Sequence, residues 1–314
     1  MSITQLEYVL AVNKHRHFNR AAQDCHVTQP TLSTQLQKLE EALGVVLFDR
    51  SKSPVIPTLE GERLIAQSQL VVREYQRLFA IAKEQDKDII AGPFKLAVIP
   101  TMAPYLVPLF VEAFARKYPK VDLTIEEAKT QDILDMLKRD ELDAALLATP
   151  LKDDQIIERV LFYEPFHLFV SPRHKLSGKQ KVKEQDLADG DIWLLTEGHC
   201  FREQVLKICS FKGRGKHGNL EFESGNLETL KNLVSRGDGY TMLPYLAVAG
   251  LPPHQKKLVR DFASPIPTRE VSLVHARSFQ KERIIIALEN EILANLPKEV
   301  LSHKADRGHE VVPI

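Results

Sequence analysis

The chain has 314 residues, 42 Lys and Arg against 42 Asp and Glu, and a hydrophobic content of 44%. That length exceeds what one hydrophobic core serves, so two or three domains are expected, and the balanced composition excludes a disordered or fibrous chain. Zero net charge also excludes the simplest argument for nucleic-acid binding, a strongly basic chain, so any such activity must rest on local features.

No apolar run approaches the roughly 18 residues of a membrane span, so no membrane partner is expected. The N-terminus reads as an amphipathic helix rather than a basic leader followed by an apolar block. Cys25, Cys200 and Cys209 are too few for a disulfide framework. A reducing, cytoplasmic location fits this usage.

The first segment predicts a compact helical module. Leu6, Val9, Leu10 and Val12 recur at helical spacing after Thr4, the expected N-cap. A short second helix is expected from Asn19. Thr28, Gln29 and Pro30 then open a third helix, whose leucines 32, 36, 39 and 43 share a face and which stops at Gly44. Val45 to Phe48 and Val55 to Ile56 read as the two strands of a wing around DRSKSP. From Thr58 to about Asp88 one long helix is expected. Leu64, Ser68, Val71, Tyr75, Leu78 and Ala82 form a narrow seam on it, with Arg73, Glu74 and Arg77 elsewhere. Such a seam suits a partner helix, and dimerisation is favoured over the plainer alternative of packing on its own domain.

Gly92-Pro93 marks a boundary. Beyond it FKLAVIP, VDLTIEEA, ELDAALLA, FHLFVSP, DIWLL, GYTMLP and EVSLVHA read as strands. They alternate with helices ending at Tyr118-Pro119, running from Gln131 to Arg139, and starting near His199, Asn226 and Phe279. This pattern predicts an α/β domain with a largely parallel sheet over 92–302. Residues 303–314 predict a flexible tail.

Residues 18–44, FNRAAQDCHVTQPTLSTQLQKLEEALG, supply the parts of a helix–turn–helix. Ala21 and Ala22 let two helices approach, and Val27, Leu32 and Leu36 fill the space between them. Gln29, Thr31, Ser33 and Thr34 are left outward beside Pro30, able to address base edges in a major groove. Arg50 and Lys52, with Ser51 and Ser53 between, suit phosphates. Residues 1–58 hold six Lys and Arg against five Asp and Glu, so charge must be sorted spatially, and a protein-interaction module remains the plainer alternative.

The string RAAQDCHVTQPTLSTQLQKLEEALGVVLFDR resembles the winged helix–turn–helix of LysR-type transcriptional regulators. The resemblance implies an all-α winged helix–turn–helix over 1–58 and a linker helix over 59–91 that dimerises. It further implies an α/β effector domain of two Rossmann-like, periplasmic-binding-protein-like halves. Double-stranded promoter DNA, a homodimer or tetramer and RNA polymerase are the partners it suggests.

Cys200 follows Gly198 and His199 at the expected start of a helix, FREQVLKI. Free N–H groups, the helix dipole, His199, Arg202 and Lys207 are expected to lower its pKa. Peroxide converts a thiolate to a sulfenic acid that a second thiol can resolve, and Cys209 is the candidate. Nine residues apart on an intact helix, the two lie about 13 Å apart, beyond the roughly 7 Å a disulfide tolerates. Closing the bond therefore requires the helix to unwind. Thr101 and Thr130, each after a strand, are candidate donors to the leaving hydroxide, although each alone reads as a helix cap.

GHCFREQVLKIC, IPTMAPYLVP, EEAKTQD, GNLETLKNLV and YTMLP together resemble the hydrogen-peroxide-sensing branch of the same family. That resemblance makes Cys200 the peroxidatic thiol and Cys209 the resolving one. Thr101, Thr130, His199 and Arg269 then shape the peroxide pocket, and a glutaredoxin- or thioredoxin-like reductant resets the disulfide. Phe201 and Glu203 replace the branch's usual leucine and aspartate. Cys25 reads as a buried small hydrophobe, and no metal or cofactor is assigned. Two alternatives stand beside this reading: a regulator whose crevice takes a small organic effector, and a Cys-based thiol peroxidase.

Overall fold

A computed structural model describes residues 1–83, 90–187, 191–209, 224–277, 281–302 and 308–314. The chain forms two compact units, Met1–Ile89 and Ile90–Ile314.

The first unit is built from helices α1 (Ile3–His15), α2 (Phe18–Asp24) and α3 (Gln29–Leu43), a wing of strands β1 (Phe48–Asp49) and β2 (Ile56–Pro57), and helix α4 (Leu59–Lys83). Ser2, not Thr4, caps α1. Its hydroxyl accepts from the Gln5 backbone while the Gln5 side chain returns to the cap, a reciprocal box that Thr4 cannot form. His17 rather than Asn19 caps α2. Thr28 caps α3, with Pro30 in its first turn and Gly44 left-handed at φ 69° beyond its end. Val9, Val12, Ala21, Ala22, Leu32, Leu36 and Leu39 form the core, and β1 and β2 pair antiparallel.

The seam on α4 divides. Ser68 is buried and Leu64 and Val71 are half-buried against the core of this unit, beside the buried Ile65 and Val72 that lie off the seam, whereas Tyr75 is 38% and Leu78 64% exposed. The early turns pack on their own module and the later ones do not. Ala82 and Asp88, included in the expectation, lie outside the residues whose side chains are described.

The second unit runs β3 (Gly92–Val98), α5 (Ala103–Lys117), β4 (Val121–Glu127), α6 (Thr130–Lys138), β5 (Ala144–Thr149), β6 (Ile156–Val170) and β7 (Lys181–Val182). It continues through α7 (Cys200–Ile208), α8 (Leu227–Arg236), β8 (Tyr240–Pro244), α9 (Tyr245–Ala249), α10 (Pro253–Lys256), β9 (Val259–Phe262), β10 (Ile266–Ala276), α11 (Glu282–Asn295), α12 (Lys298–Leu301) and β11 (His309–Val311). The expected start of α11, Phe279, lies outside the described residues.

The sheet is mixed rather than largely parallel. Strand β3 pairs parallel with β4 and β5, as the alternating pattern implies. The long strands β6 and β10, however, pair antiparallel with each other and with β5, β8 and β9. They run through two cores. One is built on β3, β5, α5, α6 and α11, the other on the later part of β6 with α7, α8 and β8. Tyr105 on α5 packs against both, and its hydroxyl donates to Glu228 Oε1 on α8 at 2.6 Å.

Two further expectations are corrected. In DIWLL the residues 192–195 are buried, but the segment makes only isolated bridges, Ile192 with Tyr240 and Leu195 with Ser224. The C-terminus is not a free tail: β11 pairs parallel with β10, and Val312 is buried. No helix among the described residues is long and apolar enough to cross a membrane.

Candidate functional site

In the first unit Gln29, Pro30, Thr31 and Thr34 are exposed on the first turns of α3, and Ser33 is half-buried. They stand out because Leu32 and Leu36, on the opposite stripe, are fully buried. Thr31 is tied to the cap by a 2.8 Å contact between its hydroxyl and that of Thr28. Lys52 is exposed on the wing. Arg50 is engaged within the unit. Its Nη2 donates to Glu40 Oε2 at 2.7 Å, its Nη1 to Ser33 Oγ at 3.4 Å, and its guanidinium lies 5.2 Å from the Phe18 ring centroid. Glu40 also accepts from the Leu47 backbone, so it braces the wing against α3. Cys25 is only half-buried at the end of α2, and burial raises its pKa.

In the second unit Cys200 is the first residue of α7 and Cys209 its C-terminal cap. Both are free and buried, but in different cores: Cys200 belongs to the α5–α6 core and Cys209 to the α7–α8 core. Helix α7 is intact between them, and nine residues of helix give about 13 Å of rise. The turn into the helix depends on Gly198, whose φ of 86° excludes most side chains and whose added Cβ would lie 3.3 Å from Lys129 Cδ.

The Thr130 hydroxyl and the Arg269 charge act on the Cys200 thiol, and Thr101 is joined to them through Arg269. Thr101 is buried before α5; Thr130 is the first residue of α6. Neither caps its helix through its hydroxyl. Thr101 Oγ1 accepts from Arg269 Nη1 at 3.3 Å, and its carbonyl accepts from Nη2 at 3.4 Å. The Thr130 hydroxyl is buried with no oxygen or nitrogen partner among the described residues. The expected lowering of the Cys200 pKa is corrected: burial outweighs the rest and holds the thiol above its ordinary value, although the Thr130 hydroxyl, the Arg269 charge and the backbone N–H groups of Phe201 and Cys200 favour its ionised form.

The expected sources of positive charge are corrected. His199 is buried, and desolvation followed by the charge of Lys129 lowers its pKa, which favours the neutral ring. Arg202 donates to the Leu195 carbonyl and Lys207 to the Pro313 carbonyl. The charge at the thiol comes from Arg269. Glu203 is exposed, on the outer face of α7.

Sequence reasoning missed Glu164. It is fully buried on β6, directly opposite Arg269 in the antiparallel register. Its Oε2 accepts from Arg269 Nε at 2.8 Å and lies 2.7 Å from Nη2, and its Oε1 accepts from the Leu246 backbone at 2.7 Å. A glutamate inside FYEPFHLFV carries no local mark; only its isolation in an apolar run hints at a buried partner.

Residues 3–62 match the model for the bacterial regulatory helix-turn-helix protein, lysR family, and residues 88–295 the LysR substrate binding domain. The DNA-binding transcriptional dual regulator OxyR of Escherichia coli K12 is 37% identical over 278 residues, covering 88% of this chain and 89% of that protein. A full-length OxyR variant from Pseudomonas aeruginosa superposes with a TM-score of 0.77 at 37% identity, over 94% of this chain and 99% of the other. An OxyR cysteine mutant from Corynebacterium glutamicum, H2O2-bound, gives 0.61 at 26% identity, over 96% and 94%. With a lysR-family helix-turn-helix ahead of a matching effector domain and these relatives along most of its length, the chain belongs to the LysR family of bacterial transcription regulators and, within it, to the peroxide-responsive OxyR group.

Proposed function

We propose that Cys200 is the thiol that hydrogen peroxide oxidises and that Cys209 then bonds to it. The Cys200 thiolate attacks one peroxide oxygen, the O–O bond breaks, and hydroxide leaves to be protonated as water. The Cys209 thiol displaces a second water from the resulting sulfenic acid, so two thiols and one peroxide give one disulfide and two waters. The observation that carries this reading is the setting of Cys200: a thiol at the first turn of α7, met by the unpartnered Thr130 hydroxyl and the Arg269 guanidinium. Donors already in place stabilise charge on the departing oxygen, as preorganised donors do in enzymes. Thr101 and His199 complete the pocket. The two sulfurs begin in separate cores, so bond formation requires α7 to unwind, and that rearrangement is the signal.

The protein is a stoichiometric sensor rather than an enzyme, reset by a dithiol reductant of the thioredoxin or glutaredoxin type. It acts in the cytoplasm as a homodimer or tetramer on double-stranded promoter DNA, alongside RNA polymerase. Gln29, Pro30, Thr31, Ser33 and Thr34 on α3 face the bases, Lys52 meets phosphate, and Arg50 supports the wing. Alkylation and mass spectrometry test the redox core. Peroxide should produce a single Cys200–Cys209 bridge, Cys200→Ser should abolish it, and Cys209→Ser should leave a sulfenic acid on Cys200. A bridge that includes Cys25, or none, would sink the reading and favour a small organic effector.

A further inference from the structure

Building on the reading of Cys200 as the reacting thiol, we infer that Glu164 is a positioning residue for that reaction, orienting the Arg269 guanidinium toward Thr101 and Cys200.

Arg269 and Glu164 are 1% and 0% exposed, and they are direct cross-strand neighbours on β10 and β6. Facing residues on an antiparallel pair bring their Cβ atoms within about 5 Å, so the register alone places the two side chains together. The carboxylate engages Nε and Nη2, one edge of the guanidinium, through Oε2. This side-on contact fixes the plane of the group, and the remaining Nη1 reaches Thr101 Oγ1. Phe201, the residue after the thiol, lies with its ring centroid 5.7 Å from the guanidinium carbon. Glu164 is in turn held by the Leu246 N–H on α9, so both of its oxygens are occupied.

A buried ion pair is a poor stability device, because desolvating both charges offsets much of their attraction. What such a pair does well is hold one geometry. Here the geometry held is that of the cation that favours the Cys200 thiolate. The groups facing Arg269 from its surroundings are Glu164 on β6, Thr101 before α5, Tyr105 on α5, and Cys200 and Phe201 on α7. Glu164 supplies the carboxylate that pairs with the guanidinium.

The test separates geometry from charge. E164D keeps the negative charge and withdraws it by one methylene, so Arg269 is drawn away from Thr101 and the thiol. In full-length Cys209→Ser protein, where the sulfenic acid persists, E164D should slow sulfenate formation at Cys200 about tenfold and move the pH profile of Cys200 alkylation upward by about one unit. Thermal melts and near-ultraviolet circular dichroism report on folding separately. Should E164D not fold, E164Q replaces it and the rate alone decides: loss of the grip on Arg269 slows sulfenate formation, whereas loss of a counter-charge speeds it. Unchanged rate and profile in a merely destabilised variant would show a structural role only. A downward-shifted profile with faster oxidation would show that Glu164 acts as a counter-charge. Either result overturns the proposal. The Cys209→Ser parent is measured first: if it forms no sulfenate at Cys200, the reading of the thiol itself fails, whatever Glu164 does.

Discussion

The Cys209 thiol sits among apolar side chains at the end of α7, and burial pushes its pKa from 9.0 up to about 12, with the Tyr240 hydroxyl opposing and Glu184 adding to the rise. The folded chain therefore keeps a proton that the unfolded chain releases above pH 9. This contribution to stability is whole below pH 9 and shrinks as pH climbs toward 12, by about 1.4 kcal/mol per unit at most. Urea midpoints of the reduced protein should fall more steeply over that window than those of Cys209→Ala; parallel curves would contradict the burial argument. The same burial makes Cys209 a slow nucleophile while α7 is wound, which suits a thiol that should act only after Cys200 has been oxidised. Cys200, Cys209, Thr101, Thr130 and His199 were named from short matching strings, and Arg269 from a segment with variable flanks. Their arrangement was not, because Arg269 meets Thr101 across 168 positions and Glu164 across 105. Nor could sequence weigh burial against charge at the thiol: His199, Arg202 and Lys207 lie near it in the chain, yet the acting cation comes from β10.

Helix α7 is tied down along its length. Arg202 donates to the Leu195 carbonyl near its start. Further along, the fully buried Gln204 donates from Nε2 to the Val312 carbonyl at 2.7 Å, and Lys207 donates to the Pro313 carbonyl at 3.0 Å. The last residues of the chain are themselves held on β10, where the Val312 N–H donates to the Thr268 carbonyl and the His309 ring meets the Thr268 hydroxyl. Deleting 312–314 removes both acceptors and leaves the buried Gln204 amide unpaired, a cost of about 1–3 kcal/mol. On the proposed Cys200–Cys209 pairing α7 has to open before the bond can close, so the truncated protein should form it several-fold faster under limiting peroxide, as quenched alkylation reads. An unchanged rate would mean that the helix opens without disturbing the C-terminus. This order was invisible in the sequence because β11 spans three residues and its partners are remote. Helix α3, by contrast, was readable throughout: Thr28, Pro30 and Gly44 are local signals that no tertiary contact overrides. Strand β6 lies between these cases. Its apolar end, FHLFV, was plain, while Glu158 and Arg159 obscured the rest; Arg159 is in fact paired with Glu282 and Glu289 on α11.

The chain divides into an α3-bearing unit, Met1–Ile89, and a cysteine-bearing unit, Ile90–Ile314. The seam on helix α4 carries the expectation of assembly. Its early turns are committed to the first unit through Ile65, Ser68 and Val72, while Leu70 and Leu78 remain 43% and 64% exposed. Large apolar side chains recurring on the outside of one helix are costly in water and are covered when a second copy aligns alongside. A two-fold pair also places two α3 helices for paired half-sites, multiplying weak single-module affinity. Leu78→Glu should therefore leave the melting of the first unit unchanged, since Leu78 contributes nothing to its core. It should convert the protein to monomer in sedimentation and weaken binding to a two-site promoter fragment by about 100-fold or more, the usual scale of lost bivalency. A Leu78→Glu protein that sediments as before would transfer assembly to the second unit, and the seam on α4 would then be an exposed stripe without a role in pairing.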